Sequence, residues 1–129
     1  FDAAAGLLAF ARQRVPAGDF RVGDMESLPF ADNGFDVVFA ASSVQFAGNA
    51  LAALGELGRV CVAGGRVVVG LFGPPQKVAV AALMKAVADL LPTPPPGAGP
   101  FALSAPGKLE GLLVEAGLAV LERVMHFTR

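Results

Sequence analysis

Short continuous apolar runs alternate along this chain with stretches in which apolar residues recur every three or four positions. Residues 3–14 place Leu7, Leu8, Ala11 and Val15 at i, i+1, i+4 and i+8, which predicts a helix with Asp2 at its start. Arg12 and Arg14 fall in its last turn, where the helix dipole favours cations. Pro16-Ala17-Gly18-Asp19 breaks the pattern, and Phe20-Arg21-Val22 reads as a short strand ending at Gly23-Asp24. Leu28-Pro29-Phe30 leads into the turn Ala31-Asp32-Asn33-Gly34. Phe35 to Ala41 then reads as a continuous buried strand of the kind parallel sheets contain. Residues 48–59 set Leu51, Leu54 and Leu57 three apart behind Asn49, a capped helix. Val60-Cys61-Val62 runs into an Ala63-Gly64-Gly65 turn, and Arg66 to Phe72 is the strongest strand signal in the chain. Residues 76–91 predict an apolar helix with Val80, Leu83, Met84, Val87, Leu90 and Leu91 on one broad face, core or lid, stopped by Pro92. A stiff Pro-rich connector follows over residues 92–100. Ser104-Ala105-Pro106-Gly107 opens a helix over 108–116, Gly117 caps it, and Leu118 to Val124 reads as a final strand.

Strands alternating with helices predict an α/β domain: a Rossmann-like, mostly parallel sheet with flanking helices. Such sheets bind ligands beyond the carboxyl ends of their strands, which singles out Asp2, Gly23 to Met25, Ala41 to Gln45 and Gly70 to Pro74. Composition narrows the field further. At 129 residues the chain holds one domain, divided in reading into a core over 1–73, a covering helix with connector over 74–106, and a last helix and strand over 107–129. Ten Lys and Arg against eleven Asp and Glu, scattered singly, lack the basic footprint of a nucleic-acid or anionic-membrane partner. One cysteine, Cys61, makes no internal disulfide and reads as a small buried hydrophobe. One histidine, His126, builds no metal site alone. A cytoplasmic setting is expected, without a membrane span or secretory leader. The start at Phe1, directly in a strand-to-helix transition, reads as a fragment or processed product.

Three spaced blocks carry a resemblance. Gly23-Asp24-Met25-Glu26-Ser27-Leu28-Pro29-Phe30, then Phe35-Asp36-Val37-Val38, then Glu56-Leu57-Gly58-Arg59-Val60-Cys61-Val62-Ala63-Gly64-Gly65-Arg66 resemble the class I S-adenosylmethionine-dependent methyltransferases, most of all the branch acting on small molecules, quinone-type enzymes included. The resemblance runs from Phe1 to about Phe72 and continues loosely through Gly111 to Val124. It implies that Asp2 accepts hydrogen bonds from the ribose hydroxyls of S-adenosylmethionine and that Asp24 accepts one from the adenine amino group. Met25 would then present its amide and side chain to the ring, and Ala41 would lie beside the sulfonium. Gln45 stands where many relatives carry a His near the substrate. That departure leaves no catalytic base assigned, although methyl transfer from a sulfonium needs chiefly proximity and alignment. The resemblance also implies a first strand and Gly-rich loop ahead of Asp2 and a terminal strand, which are not legible here. The fold is accordingly expected in truncated form, with cofactor binding by the isolated chain weakened by about 10²–10⁴-fold.

Simpler readings stand beside these. Asp2 could be a plain helix cap, Gly23-Asp24 plain turn chemistry, and Asp36 a strand-edge residue. Gly64-Gly65 precedes a strand, not a helix, and reads as a turn, not a phosphate cradle. The function that follows is methyl transfer from S-adenosylmethionine, with S-adenosylhomocysteine as product, to a small hydrophobic acceptor. Two alternatives are kept: a catalytically silent fragment acting through association, as a homo-oligomer paired at its open sheet edges, and half of a nucleotide-dependent oxidoreductase.

Overall fold

The computed structural model describes residues 1–93 and 99–124. Its elements are α1 (Ala5–Arg14), β1 (Phe35–Ala41), α2 (Ala50–Val60), β2 (Cys61–Gly70), α3 (Ala79–Asp89) and α4 (Lys108–Glu115), with single 3₁₀ turns at Val44–Phe46 and Pro75–Lys77. The centre is one β–α–β unit. β1 and β2 pair in parallel, with α2 as the crossover between them. Asn49 caps α2 through its side-chain oxygen, which accepts the Ala52 amide at 3.1 Å. The buried side of that helix is Ala53, Leu54, Leu57 and Val60. Each buried leucine or valine contributes about 1.5–3 kcal/mol over an exposed one.

The core lies between α2, α4 and one face of the sheet. Ala40, Val44, Leu54, Leu57 and Leu103 are buried together, and Val38, Val67, Val69, Leu112 and Leu113 pack around them. Strand alternation sends Val37, Phe39 and Val68 to the other face, where Val37 is 60% and Phe39 67% exposed. The expectation of a strand buried on both faces is thus corrected: β1 has apolar residues on both sides, and helices cover only one. The apolar stripe of α3 is likewise not core, since no residue of that helix is buried.

Several boundaries shift for physical reasons. β2 begins at Cys61, not Arg66, because Cys61 already pairs with Phe35 before the register jumps to Val37 against Arg66. The predicted Ala63-Gly64-Gly65 turn is the resulting bulge. Gly64 sits at φ +79°, and a Cβ on Gly65 would lie 2.6 Å from Cys61 Sγ and 2.7 Å from the Asp36 carbonyl oxygen, so only glycine fits there. The predicted strand at Phe20–Val22 survives as a single parallel bridge between Val22 and Asp2. Leu118–Val124 forms no strand, because it has no ladder neighbour among the described residues. Gly117 does close α4, at φ +80°, with the Leu118 amide bonded back to the Leu113 carbonyl at 2.8 Å. His126 and the Pro94-Pro95-Pro96 run lie outside the described residues. No described helix is long and apolar enough to cross a membrane.

Candidate functional site

A groove of about 980 Å³ separates the Asp2–Val22 pair from β1. Asp2, Asp24, Met25 and Ala41, four positions from three distant parts of the chain, all line it. Its volume lies at the upper end of the roughly 300–1,000 Å³ that small-molecule sites occupy.

Asp2 is held by its own backbone. Its amide donates to the Arg21 carbonyl at 3.2 Å and its carbonyl accepts from Gly23 at 3.1 Å. The Asp2 Oδ1 atom accepts the Ala4 amide at 2.7 Å, which makes a local turn ahead of α1. The plain-cap reading of Asp2 is therefore corrected: the cap position belongs to Ala4, which supplies no side-chain bond. Asp24 repeats the device, with Oδ1 accepting the Glu26 amide at 2.9 Å and its carbonyl accepting from Ser27 at 3.1 Å. In both residues one carboxylate oxygen is spent on orientation. The other has no partner among the described residues and remains available to a ligand hydroxyl or amine.

Aromatic rings line one wall. Phe30 meets Phe1 edge-on at 5.7 Å and Phe35 at 5.1 Å, and the Arg21 guanidinium lies 5.0 Å from the Phe30 ring centre. Arg21 also pairs with Asp19 at 2.8 Å, which lowers the Asp19 carboxyl below its usual range. A Cβ on Gly23 would stand 2.6 Å from the tip of the Phe1 ring, so a side chain there must push that ring aside. At the carboxyl end of β1, Ser42 adopts φ +49°, an uncommon conformation for a non-glycine residue, while its amide donates to Gly70 at 2.8 Å. Ser42, Ser43 and Phe46 continue the groove wall from Ala41.

Gln45 does not join this group. It is 2% exposed and lines a separate, smaller cavity beside Leu103 and Lys108. Neither atom of its side-chain amide has a hydrogen-bond partner among the described residues. Sequence reasoning also passed over the ion pair beneath the site. Arg59 bonds Glu56 through Nε at 2.6 Å and Nη2 at 2.8 Å, and with the Leu28 amide it holds the Glu56 carboxyl down to about 2. The Arg59 guanidinium shifts the opposite way, upward. Both residues stand in the Glu56 to Arg66 block that carries the resemblance, and their i, i+3 spacing on a helix is the signal that could have found the pair.

Two carboxylates oriented by local turns thus share one groove at the edge of a parallel β–α–β unit within an α/β fold. Comparison with known proteins makes this specific. Residues 1–69 match the methyltransferase domain family, and the chain belongs to that family. It is 42% identical over 64 residues to a malonyl-[acyl-carrier protein] O-methyltransferase of Yersinia pestis, covering 50% of this chain and 24% of that protein. It is 37% identical over 91 residues to a demethylmenaquinone methyltransferase of Renibacterium salmoninarum, covering 67% of this chain and 38% of that protein. The chain thus spans well under half the length of these relatives. Its fold is similar to that of a crystallised S-adenosylmethionine-dependent methyltransferase of Thermotoga maritima, described as a possible histamine N-methyltransferase, with a TM-score of 0.64 and 22% identity over 89% of this chain and 52% of that one. The expected family is borne out, and the oxidoreductase alternative falls with it.

Proposed function

We propose that the groove between the Asp2–Val22 pair and β1 binds S-adenosylmethionine, and that the chain forms the cofactor side of an enzyme methylating a small, hydrophobic organic acceptor. The observation that carries this reading is the free carboxylate oxygen on each of Asp2 and Asp24 in one groove. A carboxylate suits a vicinal diol, as Asp2 would meet on the ribose, and suits an exocyclic amine, as Asp24 would meet on adenine. Met25 supplies a polarizable contact to the base. Ala41, small and exposed at the end of β1, leaves room beside the reacting centre. The bound cofactor supplies an already activated methyl group. The chain's own part is to orient two partners and exclude water.

Gln45 is proposed to serve the acceptor side from its own cavity beside the groove, since its buried amide does not reach the groove itself. Residues 1–73 would hold the cofactor, and residues 74–106 would cover the acceptor. The exposed stripe of α3, with Leu83 64% and Val87 50% exposed, supports an apolar acceptor. The relatives, named for a malonyl group on acyl-carrier protein and for demethylmenaquinone, support small organic acceptors. The test is Asp24→Asn, which keeps Oδ1 for the local turn and removes the charge. It should raise the Kd for S-adenosylhomocysteine about 10–100-fold, and an unchanged Kd would remove Asp24 from the site.

A second reading has its own observation. β1 and β2 form a two-stranded sheet whose outer edges are unpaired among the described residues, and Phe35, Val37 and Phe39 project from one exposed face. Such an edge is a template for pairing with another chain. Sedimentation would show self-association that Phe39→Lys reduces. A monomer at all concentrations contradicts this reading and leaves the first intact.

A further inference from the structure

We infer that the Glu56–Arg59 pair of α2 positions the Asp24–Met25 turn and thereby sets the site's selectivity for the adenine base, without touching the ligand. The inference rests on the cofactor reading above. Its basis is the segment 26–34, which lies along α2 and is tied to it at almost every second residue. Glu26 Oε1 accepts the Asn49 amide at 2.9 Å, at the head of the helix. Glu56 Oε2 accepts the Leu28 amide at 2.6 Å, and Arg59 Nη2 donates to the Leu28 carbonyl at 2.9 Å, so both backbone groups of Leu28 are held by one ion pair. Arg59 Nη1 donates to the Phe30 carbonyl at 2.8 Å and to Asp32 Oδ1 at 2.7 Å. Asn33 and Gly34 finish the strap by donating to the carbonyls of Arg59 and Val60 at 2.9 and 2.8 Å.

Arg59 makes five donated bonds, matching the five N–H donors a guanidinium possesses. A side chain so fully used, in fork geometry, fixes direction as well as distance. What it fixes is the backbone immediately after the Asp24 turn. The α2 helix itself is anchored in the core by Leu54, Leu57 and Val60, so the pair transmits the rigidity of the core to a surface turn. Lysine keeps the charge but has one nitrogen and no fork, and it cannot hold Leu28, Phe30 and Glu56 together.

Nucleosides that differ only at the base test this. Adenosine offers an amine to Asp24, and inosine offers a carbonyl that a carboxylate repels. The wild-type chain, Arg59→Lys and Glu56→Gln are titrated with adenosine, inosine and S-adenosylhomocysteine by NMR, and amide hydrogen exchange is followed in each. The wild type should prefer adenosine. In Arg59→Lys the Kd for adenosine should rise about 10–100-fold, as a misplacement on the order of 1 Å costs, while inosine binding changes little and the preference collapses. Exchange at Met25 to Phe30 should accelerate while β1 and β2 stay protected, and Glu56→Gln should give a smaller shift in the same direction. A preserved adenosine preference in both variants overturns the positioning role, and so does loss of β1–β2 protection in both, since the pair would then serve the whole fold. Equal binding of the two nucleosides by the wild type, or none, overturns the site reading itself and this inference with it.

Discussion

Replacing Gln45 by methionine should make the protein more stable. Among the described residues Gln45 is the one polar side chain in the buried set, 2% exposed, and neither its Nε2 nor its Oε1 has a partner there. Burying an amide without compensating bonds costs about 1–3 kcal/mol by mutational measure. Methionine has nearly the same length and flexibility, fills irregular gaps and carries no such penalty. The expected gain is therefore about 1–3 kcal/mol. With a urea slope of about 2 kcal/mol per molar, the unfolding midpoint should rise by about 0.5–1.5 M. Urea unfolding followed by far-ultraviolet circular dichroism reads this directly. If Gln45 is retained for the acceptor, the same variant binds S-adenosylhomocysteine normally but turns over acceptor more slowly, a trade of stability against function. A midpoint lowered by 0.5 M or more would refute the reasoning, because it would mean that the amide makes strong bonds in solution.

Other consequences follow from single contacts. Gly65→Ala should destabilise by about 1–3 kcal/mol, since its Cβ would press on Cys61 Sγ and on the Asp36 and Val62 carbonyls; urea unfolding reads this too. Glu56 should contribute to acid sensitivity: its carboxyl is depressed from 4.5 to about 2, so its stabilisation is complete above pH 4.5 and disappears as the pH falls toward 2. Urea midpoints between pH 2 and 6 should fall more steeply for the wild type than for Glu56→Gln. Gly23→Val should disturb the Phe1 ring and weaken S-adenosylhomocysteine binding without altering β1–β2 exchange, because the contact lies at the groove wall and not in the core.

The β–α–β centre was legible from sequence because its signals are local. Asn49 caps α2, the leucines repeat at helical spacing, and Gly64-Gly65 interrupts the following strand. The gathering of Asp2, Asp24, Met25 and Ala41 into one groove followed from the carboxyl-end rule for parallel sheets and from the family resemblance, since no periodicity relates residues so far apart. What the sequence concealed was long-range. Arg59 reaches carbonyls 29 and 31 residues away, and an i, i+3 Glu–Arg pair on a helix looks like ordinary surface electrostatics until the strap beside it is seen. Leu118–Val124 has the composition of a strand, but a strand exists only where a neighbour completes its hydrogen bonds. The apolar residues of β1 announced two buried faces, whereas burial depends on what packs against them. Gln45 is placed by the resemblance near the substrate, and only the packing around the 3₁₀ turn reveals that it is enclosed.

The central claim is that one groove holds the cofactor, and chemical-shift mapping tests it most directly even when affinity is low. S-adenosylhomocysteine is titrated into the isotope-labelled chain to millimolar concentration. Saturable shifts confined to Asp2, Gly23 to Glu26 and Ala41 to Ser43, absent in Asp24→Asn at the same concentrations, are the predicted result. Shifts that fail to saturate, or that gather on α3 or α4 and leave these residues unmoved, would contradict it.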